Sequence, residues 1–305
     1  MKKLVGLIIL VAAYSVSFAQ QEYTYTFFGD NRNFVNPAAA GTNEYGSVTG
    51  LFRKQWAGVE GTPTSGGITF DMPFERQNMG IGALVYQDHI GVTNQTNISA
   101  MFAYHLKLSR DHFLSFGLSA GMDLVNTDYS SLTYWDAGDQ TLENDYVNVV
   151  VPHVGFGLQY YWKDLYVGVS LPRMLAINGD QFNAINMNTA PSLLTHYYFN
   201  AGYNFEFRNG IGLRPAVMLK YVSNTPLRVD VSLPVWFKNT IGVGVTYKSL
   251  GFLSAFLQYN LKDMFVFGYA FDFSTNALQG YSKGTHEAMI QWRFGNRSIG
   301  GTSRL

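Results

Sequence analysis

Of the 305 residues, the six histidines, His89, His105, His112, His153, His196 and His286, are best suited to hold a transition metal or move a proton near neutral pH. None lies in the His-Glu-x-x-His spacing that sets two imidazoles on one helical face, so a metallohydrolase is not implied. The sequence has no cysteine, which removes thiolate metal sites, thiol nucleophiles, disulfides and a lipid-bearing cysteine. Gly80-Ile81-Gly82 and Gly242-Val243-Gly244 lack the third glycine and following helix of a nucleotide loop, and glycine within a strand is the simpler reading. Serine and threonine are plentiful but form no nucleophile elbow. Asp136, Asp139, Glu143 and Asp145 offer the oxygen ligands that Ca²⁺ takes, yet their spacing is not that of an EF-hand, and a solvated acidic loop is favoured. Asn94-Gln95-Thr96 and Asn97-Ile98-Ser99 fit the glycosylation sequon, a nonspecific pattern. No enzyme, cofactor site or metal site is expected.

If these residues do no covalent chemistry, the elements that carry them must explain the chain. Lys2 and Lys3 precede an apolar run from Leu4 to Val16 that ends in Ser17-Phe18-Ala19, small residues at both positions a signal peptidase reads. The expected organisation is a signal peptide over 1–19, an N-terminal periplasmic or lumenal segment over 20–46, a barrel over 47–294 and a tail over 295–305. No later segment is apolar enough for a membrane helix, so membrane residence must come from strands. Lys+Arg and Asp+Glu both number 21, and this zero balance argues against nucleic acid as a partner.

Periodicity supports strands. Leu114, Phe116, Leu118, Ala120, Met122 and Leu124 alternate with Ser115, Gly117, Ser119, Gly121 and Asp123, giving one oily face and one small, polar face. Similar alternation predicts strands near 47–56, 65–72, 79–87, 97–108, 113–126, 151–162 and 165–171. Seven more are predicted near 196–207, 211–222, 227–237, 241–247, 252–260, 264–273 and 285–294. Tight turns such as Lys163-Asp164 and Lys262-Asp263 alternate with long connections near 127–150, 172–195 and 274–284, although Lys248 to Gly251 is short where a long one is due. The expectation is an all-β fold, a transmembrane antiparallel β-barrel of about 14 strands in the bacterial outer membrane with both termini periplasmic. A soluble sandwich would place Lys, Glu and Thr on the second face, whereas here it is mostly Gly, Ser, Ala, Asn and Gln. Tyr104, Tyr160, Trp162, Tyr221, Tyr247, Tyr259 and Trp292 fall near strand ends, where interfacial girdles belong.

Charges on the polar face need partners or water. Asp123, Glu206, Arg214, Lys220, Arg228, Asp230, Asp272, Glu287 and Arg293 fall there, and their mixed signs suit a filled interior better than a selectivity ring.

Asn36-Pro37-Ala38-Ala39-Ala40-Gly41 is followed by Arg53-Lys54-Gln55-Trp56-Ala57-Gly58-Val59-Glu60-Gly61-Thr62-Pro63-Thr64, then by Met79-Gly80-Ile81-Gly82 and Asp88-His89-Ile90-Gly91-Val92-Thr93. In this order the elements resemble the PorP/SprF family of Bacteroidetes outer-membrane proteins, part of the type IX secretion and gliding-motility apparatus. The resemblance spans the mature chain, with its specific motifs in the first third. It implies a non-enzymatic barrel that binds a partner: a secreted surface protein through its C-terminal domain, or periplasmic lipoproteins or a peptidoglycan-binding component of the secretion machine. The positions it points to are Asn36, Pro37, Ala38, Gly41, Arg53, Gln55, Trp56, Gly61 and Pro63. Each also has a structural role open to it, Pro37 and Gly41 in the turn into the barrel, Arg53 and Trp56 at the first strand end. The competing class is a channel for small hydrophobic compounds with residues 20–46 as a plug, for which Tyr23, Tyr25, Phe27, Phe28 and Phe34 supply apolar surface. A purely structural barrel or adhesin would instead rely on the loops near 127–150 and 172–195.

Overall fold

Alternating segments with one apolar face and tight turns at one end can pair every backbone group only by closing on themselves, and the chain does so. The computed structural model describes residues 25–128, 146–176, 195–223, 225–249, 251–275 and 280–295. The expected signal segment, the acidic group Asp136 to Asp145, most of the loop near 172–195 and the tail beyond Gly295 lie outside the described residues. The strands are β1 (Gly46–Lys54), β2 (Thr64–Phe74), β3 (Met79–Ile90), β4 (Thr93–Lys107), β5 (His112–Thr127), β6 (Tyr146–Trp162), β7 (Leu165–Ala176) and β8 (His196–Tyr203). They continue as β9 (Phe205–Glu206), β10 (Ile211–Leu213), β11 (Ala216–Val222), β12 (Arg228–Phe237), β13 (Ile241–Lys248), β14 (Phe252–Leu261), β15 (Phe265–Ser274) and β16 (Thr285–Phe294).

These segments form a closed antiparallel barrel of fourteen staves, because β8 with β9 and β10 with β11 each make one interrupted stave. Closure runs from Gly46↔Phe294 to Lys54↔His286 between β1 and β16, with β11 pairing β12 on the far side. The second interruption falls at Arg214-Pro215, where proline has no N–H to give the ladder. Its carbonyl accepts from the Tyr203 N–H at 3.1 Å, while the Arg214 N–H crosses to the Pro234 carbonyl at 3.0 Å.

Strands on one side outrun those expected. β4, β5 and β6 span 15, 16 and 17 residues, whereas β13 spans 8. At about 3.3 Å per residue a strand of that length covers roughly 50 Å, about twice the apolar band of an outer-membrane barrel. Thr93 to Thr96, expected in a connection, extend β4 and pair with β3 and β5. Alternation is silent there because a wall above the lipid is wet on both faces, and polar residues suit either.

The lumen is filled. Tyr25, Thr26, Phe27 and Phe28 are buried inside the barrel, as are Val35 to Ala40. Thr26 lies beside Asp272 and Lys248, near the ends of β15 and β13, while Gly41 lies beside Asp71 and Gly80 at the opposite, short-turn end. This arm, residues 25–45, therefore runs the length of the lumen before entering β1. Gly117 and Gly157 make room for it: a Cβ at Gly117 would meet the Ala38 nitrogen at 2.1 Å, and one at Gly157 the Asn36 Oδ1 at 2.1 Å. Glycine on these inward faces is a consequence of the arm's close approach.

Candidate functional site

The nine motif positions divide between the lumen and the long-loop mouth. Asn36, Pro37, Ala38 and Gly41 belong to the arm. Asn36 caps a short 3₁₀ turn, Pro37–Ala39, and its Oδ1 accepts from the Ala38 N–H at 3.0 Å, with proline next to the cap where no donor is needed. The Asn36 amide nitrogen faces the Leu158 carbonyl at 3.3 Å and the side-chain oxygen of Gln159 at 3.4 Å. Ser115 donates to the Ala38 carbonyl at 2.6 Å and Ser170 to the Val35 carbonyl at 2.7 Å. Gly41 takes a positive φ of 67°, and its N–H reaches Asp71 Oδ1 at 2.6 Å. The arm thus meets β2, β5, β6 and β7 through polar groups, while Tyr25, Phe34 and Tyr86 stack edge to face or tilted between them.

Arg53 links the two regions. It faces inward from β1 and bonds Asp272 at 2.8 Å and Glu287 at 2.9 Å. Lys248 bonds the same Asp272 at 2.8 Å and the Thr26 hydroxyl at 2.9 Å. Glu287 accepts from the Thr26 N–H at 2.8 Å. Two cations and two carboxylates, all buried, balance each other and grip the start of the arm, as desolvated charges must if they are to remain ionised. A second buried group joins Arg173 to Asp123 at 2.9 Å, with Asn97 donating to the same carboxylate at 3.0 Å. Of the charges expected on the polar face, Glu206 and Arg214 line the lumen at its short-turn rim, 3.1 Å apart and open to solvent.

Lys248 and Arg173 were not among the expected inward charges. Lys248 ends a strand beside a short connection, so alternation gave it no face. Arg173 follows a register shift between Val154 and Phe156 that turns it inward past Pro172. Asn36 and Arg53 do carry a readable signal, since a polar residue followed by proline marks a cap and an arginine on an apolar-polar strand must find an acid.

Gln55, Trp56, Gly61 and Pro63 lie in the β1–β2 loop at the long-loop mouth. The Gln55 N–H bonds the Pro63 carbonyl at 2.9 Å, and the Trp56 N–H bonds the Thr285 hydroxyl at 3.1 Å. Neighbouring loops lock onto this one: Ala57 donates to the Gly284 carbonyl at 2.8 Å, Lys283 to the Ala57 carbonyl at 2.9 Å, and Gly91 to the Gly61 carbonyl at 3.0 Å. The positive φ of Trp56, Gly58, Gly61, Gly91 and Gly284 lets three loops meet as one platform. Its surface carries apolar side chains, with Val59, Ile90 and Tyr281 exposed by 42%, 43% and 81%. At the other end the arm and wall enclose a vestibule of about 470 Å³, where Arg32, Arg214 and Arg293 lie over the rings of Tyr166, Trp236 and Tyr45 at 4.6, 5.1 and 4.9 Å. Among the described residues no group of three metal-binding side chains occurs.

The sequence profile of the type IX secretion system membrane protein PorP/SprF matches residues 17–292. No curated protein matches the sequence. Among solved structures, the CymD monoaromatic hydrocarbon channel has a TM-score of 0.52 at 12% identity, covering 87% of this chain and 92% of that one. Omp33 of Acinetobacter baumannii has a TM-score of 0.47 at 8% identity, covering 83% of this chain and all, 100%, of the other. At such identities the likeness is one of barrel fold alone.

Proposed function

The chain belongs to the PorP/SprF family of type IX secretion system membrane proteins, and from that premise we propose that it acts by holding a partner protein rather than by passing solutes. The barrel resides in the outer membrane. In this reading the long-loop end faces the cell surface, and the β1–β2 platform docks a secreted surface protein through its C-terminal domain, or another component of the secretion machinery, to support export or retention. The observation that carries it is the pairing of two features in one molecule: a lumen occupied by a hydrogen-bonded arm, and a cross-linked platform bearing exposed Val59, Ile90 and Tyr281. Apolar and aromatic side chains on a prepaid, rigid backbone are what an interface needs, because binding then costs little ordering.

The test is site-specific photocrosslinking in cells that carry the machinery. A crosslinker at Val59 or Tyr281 is expected to trap a defined type IX cargo or machinery protein, while one at lipid-facing Leu257 traps none. If the platform positions yield no protein adduct under conditions where the cargo reaches the surface, the docking reading is wrong.

A further inference from the structure

On four adjacent strands, β16, β1, β2 and β3, the outward face carries basic groups and no acid. The carboxylates of Glu287, Asp71 and Asp88 all point inward and are buried. Lys54, His286 and His89 point outward, near the long-loop ends of the same strands. Lys54 and His286 are directly paired across β1 and β16, and the Lys54 ammonium lies 2.7 Å from the Thr64 hydroxyl of β2. The Tyr269 hydroxyl holds the His286 ring at Nδ1, 2.7 Å away, and Asn94 holds His89 in the same way at 2.7 Å.

Directly beneath these groups the outer wall is indented. Gly50, Gly66 and Ala288 face lipid where their neighbours carry large side chains; Phe52 stands between Gly66 and Ala288, and Ile68, Val85 and Ile290 rise around them. The resulting open, shallow cleft holds about 710 Å³ and reaches up to Thr64, Gln87 and His89. A barrel wall facing disordered lipid has no need of a cleft with basic side chains above it. An apolar slot lined at its upper end by His89 and Thr64, with the Lys54 ammonium bonded to that threonine and His286 paired with Lys54, matches one kind of ligand: an acyl chain with a phosphate at its end.

We propose that this cleft binds a phosphate-bearing membrane lipid, its acyl chain lying over Gly50, Gly66 and Ala288 and its phosphate meeting Lys54 and His286. This goes beyond partner docking and does not depend on it. The site would fix one lipid beside the β1–β2 platform.

The experiment uses the full mature chain purified in detergent, with native mass spectrometry counting bound molecules. Phosphatidylglycerol is expected to remain bound at one per chain, whereas diacylglycerol, which lacks the phosphate, and inorganic phosphate, which lacks the chain, are not. The double variant Lys54→Ala with His286→Ala should weaken phosphatidylglycerol by about tenfold or more. Gly66→Leu should fill the slot and do the same; a Cβ there meets only the Leu51 carbonyl at 3.6 Å and a Phe52 ring carbon at 3.9 Å, so the strand accepts it. Leu257→Ala, across the barrel, should leave binding unchanged. The proposal is overturned if both site variants retain the lipid like the parent, or if inorganic phosphate alone binds as well. It is also overturned if the parent is a dimer that Gly66→Leu converts to a monomer, since the cleft would then belong to a second copy. Should Gly66→Leu fail to fold, the Lys54 and His286 pair decides alone.

Discussion

Arg53 takes the structural role that was open to it at the end of the first strand. It stands in the most family-like run of the sequence, yet it faces the lumen and shares Asp272 with Lys248 and Glu287 with the arm. Removing it leaves two buried carboxylates against a single lysine, a loss of about 3–5 kcal/mol by analogy with broken buried pairs. Arg53→Ala is therefore expected to lower the unfolding midpoint and to free the start of the arm. Because the chain has no native cysteine, a cysteine replacing Thr26 reports this directly: protected in the parent, labelled in the Arg53→Ala background. Equal protection in both would show that the charge group does not hold the arm. Val59→Ala should shift stability by no more than about 0.5 kcal/mol, as exposed substitutions do, so any defect it causes in partner retention belongs to binding.

Among the elements, the arm decides what the barrel can do. A stave wall with Gly, Ser and Asn inward would enclose water, but the turn Pro37–Ala39 seats against Gly117 and Gly157 and occupies that space. Gly117→Val places side-chain atoms where the Ala38 nitrogen lies while keeping a residue that strands favour. It is expected to displace the arm without opening the sheet. Planar-bilayer recordings should then show the parent closed and Gly117→Val conducting; a parent that already conducts steadily would mean the arm is no plug. Much of this was legible beforehand. Alternation in Leu114 to Leu124 fixed which residues face lipid, and Phe27, Phe28 and Phe34 announced that the first segment needs burial. What could not be read were the tops of β4 and β6, where water on both faces erases the period, and the inward turn of Arg173, which depends on a bulge. The platform was also hidden, because it arises from loops distant in sequence meeting through Ala57, Gly284, Gly61 and Gly91.

At the scale of the whole molecule the described strands form a closed cylinder with two differently built ends. Continuous pairing from β1 through β16 leaves no edge for detergent to peel, so unboiled samples should migrate differently from boiled ones on gels; identical mobility would contradict closure. The proposed function accordingly places the working surfaces on the ends and the outer wall. The taller side, β4 to β6, is longer than the lipid band requires and begins beside the β1–β2 platform, so a partner seated there would have a wall beside it.

The central claim, docking by a filled barrel, is tested most directly by measuring surface-protein retention and small-solute uptake together in one strain. The strain carries Val59→Lys with Ile90→Lys, substitutions on exposed platform positions that should cost about 2 kcal/mol or more of binding if those side chains anchor the partner. With barrel abundance unchanged, the account predicts that retention of the secreted surface protein falls while uptake stays at the parent's level. Uptake that falls while retention is intact would contradict it and favour a transporter.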